Sequence, residues 1–169
     1  MIIDLTKFPT GHDQYYQFLE WLPTQFPPDA YIIEGGTWSG AGARCLGSRG
    51  HKVETYDPFP QPNLGGLPPN VTHIAKDIFD IEPEKIRACD FFYLDIDPHE
   101  GASEAHFYHH LKKLGFRGLL YCDDIEMNEG MKAFWKRIDL PKLNLGTLAH
   151  ATSTGFVSFG PATIITPQT

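Results

Sequence analysis

The chain has 169 residues, 41% hydrophobic and 21% charged, which suits a soluble globular protein with room for one well-buried domain and not for two plus a linker. Its formal net charge of −7 would repel a polyanion, which argues against nucleic acid as a partner. No stretch approaches the roughly 18 uninterrupted apolar residues of a membrane span, and the opening MIIDLTKFP has no signal-peptide pattern, so neither membrane nor export is expected. Cys45, Cys89 and Cys122 show no paired spacing and leave one over, which reads as reduced thiols of a cytoplasmic protein.

In chain order, Tyr15, Phe18, Leu19 and Leu22 recur at helical spacing and predict a helix over 13–22, closed by Pro23, Pro27 and Pro28. Residues 1–30 are therefore an N-terminal helical segment ahead of a core at 31–160. The core opens with a strand at 31–34, a Gly-rich turn and a helix at 39–46. A second strand at 51–56 runs into a Pro/Gly-rich loop, 58–69, that cannot hold a regular helix. A third strand at 71–78, a short helix at 82–89 and a fourth strand at 90–97 follow; the continuously apolar Phe91-Phe92-Tyr93-Leu94 predicts burial on both faces. A helix over 102–114 ends at Gly115, a fifth strand spans 118–122, and a helix spans 129–138. The tail reads as two antiparallel strands, 143–149 and 156–159, joined by the turn 152–155. This alternation predicts an α/β, Rossmann-like fold: seven strands, mostly parallel, a reversed C-terminal hairpin, helices on both faces, and a ligand crevice at the carboxyl ends of the strands.

The run from Ile32 to Gly42 puts a carboxylate, Glu34, at a strand end, then Gly35, Gly36, Trp38 and Gly40 at the start of a helix. Gly36 and Gly40 let the backbone bend and approach a ligand. A dinucleotide fingerprint needs G-x-G-x-x-G, and the spacing here fails it, which disfavours an NAD-dependent oxidoreductase. Asp57 ends the second strand, where a carboxylate can accept hydrogen bonds from both ribose hydroxyls, and Asp77 follows the third. Asp95, Asp97 and His99 follow the fourth strand, and Asp123 and Asp124 the fifth; carboxylates crowded on neighbouring strand ends suggest a bound divalent cation.

The segment from Glu34 to Gly40 resembles the E-x-G-x-x-x-G cofactor loop of class I S-adenosylmethionine-dependent methyltransferases. With D-x-D and D-D on the next two strands, residues 31–159 resemble the macrocin-type metal-dependent O-methyltransferases and related short methyltransferases. The resemblance implies S-adenosylmethionine held by Glu34, Gly35, Gly36, Trp38, Gly40, Asp57, Asp77 and Asp95, with the adenine amino group at Asp77. It also implies magnesium, or another oxygen-preferring cation, on Asp95, Asp123 and Asp124, and Asp97 as general base. Many relatives place a histidine directly after the second aspartate; here Pro98 intervenes, and His99 becomes an alternative base. The acceptor implied is a small hydroxylated molecule, and the little material outside the core allows a homodimer to supply a missing wall. A nucleoside-binding scaffold that has lost its chemistry is the non-enzymatic alternative. His106, His109 and His110 share one helical face, but without a ligating partner nearby they read as a solvated or subunit-facing stripe, not a zinc site.

Overall fold

The computed structural model describes residues 1–9 and 14–166. Its main sheet has seven strands in the order β4-β3-β2-β5-β6-β8-β7, where β2 is Tyr31–Gly35, β3 Lys52–Tyr56, β4 Val71–Ile74, β5 Phe91–Leu94, β6 Leu119–Cys122, β7 Lys142–Asn144 and β8 Gly155–Ser158. The first five are mutually parallel; β8 runs antiparallel to β6, and β7 antiparallel to β8. The reversed C-terminal strand pair is thus present, as the sequence predicts.

Adjacent residues of one strand feed opposite cores, because side chains alternate across a strand. Ile32 and Phe91 join Phe18, Leu19 and Leu46, from the helices α1 (Gln14–Trp21) and α2 (Ala41–Gly47), on one face. Ile33 and Phe92 join residues from α3 (Pro83–Ala88), α4 (Ala102–Leu114) and α5 (Glu129–Arg137), among them Ile86, Phe107 and Phe134, on the other. All four residues of β5 are buried, as its unbroken apolar run predicts.

Several boundaries differ from those read in the sequence. The N-terminal helix gives way at Leu22–Gln25 to a 3-10 turn with Pro23 in its first turn, since proline has no N–H with which to continue the α ladder; residue 13 lies outside the described residues. The third strand stops at Ile74, because the Asp77 carboxylate accepts the Phe79 N–H at 2.9 Å and winds Ile78–Asp80 into a 3-10 turn. Strand β7 ends at Asn144, and the link to β8 is longer than a tight turn: it contains the 3-10 turn Gly146–Leu148, and the Leu145 N–H closes it by donating to Thr154 O at 2.9 Å. A second, two-stranded parallel sheet, β1 (Ile2–Asp4) with β9 (Thr163–Ile165), joins the two ends of the chain. Three-residue strands paired across the whole chain leave no periodic signature to read. Among the described residues, no helix is long and apolar enough to cross a membrane.

The strand order reverses between β2 and β5, the point in an open α/β sheet where ligands bind beyond the carboxyl ends of the strands. Glu34, Asp57, Asp95 and Asp123 are all at or just past such ends.

Candidate active site

A cavity of about 630 Å³ opens there, lined by Gly36, Asp57, Asp77 and Asp95 and by apolar surface from Ile78 and Phe79. Gly36 makes the crevice at the switch point: its φ is +95°, and a Cβ would sit 1.7 Å from the Asp95 carbonyl oxygen. No side chain fits between these two strand ends. Its N–H donates to Tyr56 O at 2.9 Å, so the loop leaves β2 against the end of β3.

Asp57 holds that loop from below. One carboxylate oxygen accepts the Thr37 N–H at 3.1 Å and the other the Phe59 N–H at 2.9 Å, so a single side chain ties the Gly-rich turn to the start of the 58–69 loop. The Trp38 N–H also reaches the first of these oxygens, at 3.5 Å, so the oxygen bonded to Phe59 is the one with a lone pair left for a ligand. Trp38, 71% exposed and with φ of +42°, stands at the cavity mouth. Gly35 and Gly40 do not border the cavity. A Cβ on Gly35 would meet Ile78 Cγ2 at 2.8 Å, and one on Gly40, at φ +74°, would meet Leu64 Cδ1 at 2.7 Å; both glycines serve close packing around the site.

Glu34 is 1% exposed and lies beneath α2, where a Cβ on Gly42 would touch its Oε1. Burial pushes its pKa up to about 8, against the opposing hydrogen bond from the Thr55 hydroxyl. It borders a small adjoining recess with Tyr15, Tyr16, Trp38 and Asp95, while Gly36, Trp38 and Asp95 line both spaces. The carboxylate expected beside the cofactor loop is therefore one step removed from the main cavity.

On the other side of Asp95 the carboxylates face side chains. Tyr93 OH donates to Asp95 Oδ2 at 2.8 Å, Tyr15 OH donates to Asp123 Oδ2 at 2.7 Å, and the two hydroxyls contact each other. Asp123 is 3% exposed; burial first, and the Asp95 carboxylate second, raise its pKa to about 7. Its Oδ1 has no hydrogen-bond partner among the described residues. His99, at φ +54°, turns its ring into the gap between the strand ends: Nε2 lies 3.1 Å from Asp95 Oδ1 and 3.5 Å from Asp124 Oδ2, and Nδ1 lies 3.4 Å from Asp97 Oδ1. The hydrogen bond with Asp95 raises its pKa to about 9, so at neutral pH the ring is a cation without a lone pair to act as a base. The Asp97 side chain is 92% exposed, and the residue lines the cavity wall.

Asp95, Asp123 and Asp124 do not converge as one ligand set. Among the described residues two groups form instead, Asp95–His99–Asp124 and Asp123–Asp124–His150, each with its ligand atoms within 4.8 Å of one another and each containing an imidazole. His150 comes from the β7–β8 link, with its ring centroid 4.6 Å from that of Tyr15. The histidine stripe on α4 joins neither group; His106 and His110 pack against Phe79, at centroid distances of 4.6 and 5.4 Å.

Three residues of the site carry no motif. Tyr93 had a signal, since it stands two places before Asp95 and so shares its side of the strand. Tyr15 and His150 had none, because a helix and a loop from opposite ends of the chain bring them in.

No known family model matches the chain, and no curated protein matches it. Solved structures do. The S-adenosylhomocysteine-bound Podospora anserina methyltransferase PaMTH1 superposes with a TM-score of 0.61 at 14% identity, covering 92% of each chain. The tRNA (m1A58) methyltransferase TrmI of Aquifex aeolicus gives 0.61 at 14% identity, over 90% of this chain and 72% of that one. An rRNA methylase from Streptococcus thermophilus gives 0.57 at 10% identity, over 85% and 93%. These likenesses show the fold: the chain has the Rossmann-like architecture of class I methyltransferases.

Proposed function

We propose that this chain is a single-domain, S-adenosylmethionine-dependent methyltransferase that modifies a hydroxyl of a small acceptor. The observation that carries the reading is the crevice at the strand-order reversal, where Gly36 is pressed against Asp95 while Asp57 and Asp77 offer carboxylates at the next two strand ends. Asp57 suits two ribose hydroxyls, Asp77 an exocyclic amino group, and the flat walls of Ile78 and Phe79 a purine. Glu34 and the recess beside it suit the amino-acid end of the cofactor. Bound there, the cofactor supplies an electrophilic methyl group; the chain's own work is alignment and proton removal.

Of the two expected bases, Asp97 keeps the role. Its carboxylate is exposed and the residue lines the cavity, whereas His99 is held as a cation among carboxylates. Magnesium is the ion the resemblance implies, and the donor sets depart from it, since each group of three includes an imidazole nitrogen. Although two of the similar folds are named for RNA substrates, the net charge of −7 and the acidic strand ends favour a small acceptor here. Trp38 and Phe59, both about 70% exposed at the mouth, leave room for a second copy to complete the acceptor wall, a homodimer that light scattering tests.

The decisive measurement is calorimetry with S-adenosylhomocysteine beside NAD. Selective binding of the first is expected. Selective NAD binding overturns the reading, and binding of S-adenosylhomocysteine without transfer to any of a panel of sugars, phenols and other hydroxylated molecules leaves a nucleoside-binding scaffold.

A further inference from the structure

The group farther from the cavity has a feature that aspartate pairs at strand ends do not need. Asp123 is almost wholly buried, its Oδ2 is satisfied by Tyr15, and among the described residues its Oδ1 has no hydrogen-bond partner although it faces the His150 ring. A buried carboxylate oxygen left bare is costly, and a ligand is the ordinary remedy. His150 Nδ1 lies 3.5 Å from that oxygen and 3.1 Å from Asp124 Oδ1. Ligands about 2.0–2.2 Å from a shared ion stand roughly 3–3.5 Å apart, so these spacings match a coordination shell before any ion arrives.

The surroundings fix the three donors. Tyr15 acts on two of them, donating from its hydroxyl to Asp123 and laying its ring against the His150 imidazole. Thr152, 2.7 Å from His150 Nδ1 and hydrogen-bonded to Asp124, is the neutral group an ion has to displace. Outer partners of this kind orient ligands and tune affinity. The neighbouring group is different: there His99 already stands between Asp95 and Asp124 and pairs both.

We propose that Asp123 Oδ1, Asp124 Oδ1 and His150 Nδ1 bind a first-row transition dication in preference to magnesium. Two carboxylates alone would suit magnesium or calcium; adding an imidazole shifts the preference toward manganese, iron, cobalt or zinc. The assignment rests on this geometry and does not require methyl transfer. If the proposed function also holds, His99, which lines the cavity and lies 3.5 Å from Asp124, stands between this site and the cavity.

The test uses the full chain, stripped of metal, titrated separately with manganese, cobalt and magnesium chloride in a calorimeter. Manganese and cobalt should bind at least about tenfold tighter than magnesium, and His150→Gln should cost cobalt affinity about 10–100-fold while leaving S-adenosylhomocysteine affinity unchanged. Electron spin-echo modulation from an imidazole nitrogen in the manganese-loaded wild-type protein checks the same ligand without any variant. Magnesium binding as tightly as manganese, no binding of any of the three ions, or no nitrogen coupling overturns the site. Titration with S-adenosylhomocysteine on the same preparation separates the two ideas, since the metal site can fail while the cofactor binds, and the reverse.

Discussion

At the β3–β4 end of the strand edge, the carboxylates that line the cavity are answered by main-chain amides: Asp57 by Thr37 and Phe59, Asp77 by Phe79. At the β5–β6 end they are answered by side chains, Tyr15, Tyr93, His99, His150 and Thr152, and one oxygen has no hydrogen-bond partner among the described residues. The first region is shaped by backbone geometry, which glycines and a reversal of strand order dictate. The second is a set of side chains paired with one another, whose pairing responds to protons and ligands. A fixed cradle beside an adjustable cluster is a sensible division if one side holds a constant cofactor and the other a variable acceptor.

The largest effect should come from breaking the cradle itself. Gly36→Ala puts a methyl group 1.7 Å from the Asp95 carbonyl oxygen at a φ of +95°, so the strand ends must separate. A loss on the order of 4 kcal/mol or more is expected from denaturant unfolding, the range of severe backbone and overpacking lesions, together with loss of S-adenosylhomocysteine binding. A variant of near wild-type stability would show that β2 and β5 are not locked as the crevice requires.

Glu34 is buried and answered by the Thr55 hydroxyl, not by a main-chain amide, and pH should expose it. Its folded pKa, about 8, lies above the ordinary value of 4.5, because burial disfavours the charge. Between those values the folded state binds more protons than the unfolded chain, so stability is full below about pH 4.5 and declines as pH rises toward 8. The decline should be on the order of 3 kcal/mol. Glu34→Gln should flatten it, leaving the variant more stable than the wild type at pH 8. Parallel slopes from pH 5 to 8 in the two proteins would mean that Glu34 is charged throughout.

Which parts of this contrast were legible in the sequence follows from the same physics. The cradle was legible, since glycines after a strand, a breaker-rich loop and acids at successive strand ends are local patterns with one structural solution. Even there, Gly35 and Gly40 turn out to serve packing, because sequence shows that a position needs glycine and not what approaches it. The adjustable cluster was half legible. Asp95, Asp123 and Asp124 were visible as acids on adjacent strands, but Tyr15 arrives from 80 residues before Asp95 and 108 before Asp123, and His150 from the β7–β8 link, and their arrival splits the expected three-aspartate set into two.

Within the adjustable cluster, Tyr15→Phe keeps the ring against His150 and deletes only the hydroxyl that satisfies Asp123 Oδ2. Tyr93 is then the nearest donor, at 3.4 Å. A cost of about 2 kcal/mol is expected for a buried, charge-assisted hydrogen bond removed from one side. Adding a transition ion should recover part of it, because the ion compensates the same carboxylate. An unchanged unfolding midpoint would mean that solvent already reaches Asp123.

The smallest expected effect distinguishes a carboxylate that binds ligand from one that only holds a loop. Asp57 does the second in this structure, accepting the Thr37 and Phe59 amides. Asp57→Asn keeps the shape but has a single acceptor oxygen, so one of those amides must face an NH₂ group, and stability should fall by about 1 kcal/mol. If Asp57 also receives ribose hydroxyls, S-adenosylhomocysteine should bind about tenfold more weakly, or 1.4 kcal/mol, and the loss should be smaller for a ligand lacking one ribose hydroxyl. Comparing S-adenosylhomocysteine with its 2′-deoxy analogue on both proteins makes this a double-mutant cycle, in which a coupling near zero assigns Asp57 to the loop alone. A coupling close to the full loss places the carboxylate in direct contact with the sugar, and the fixed region then recognises the cofactor with the same side chain that holds its shape.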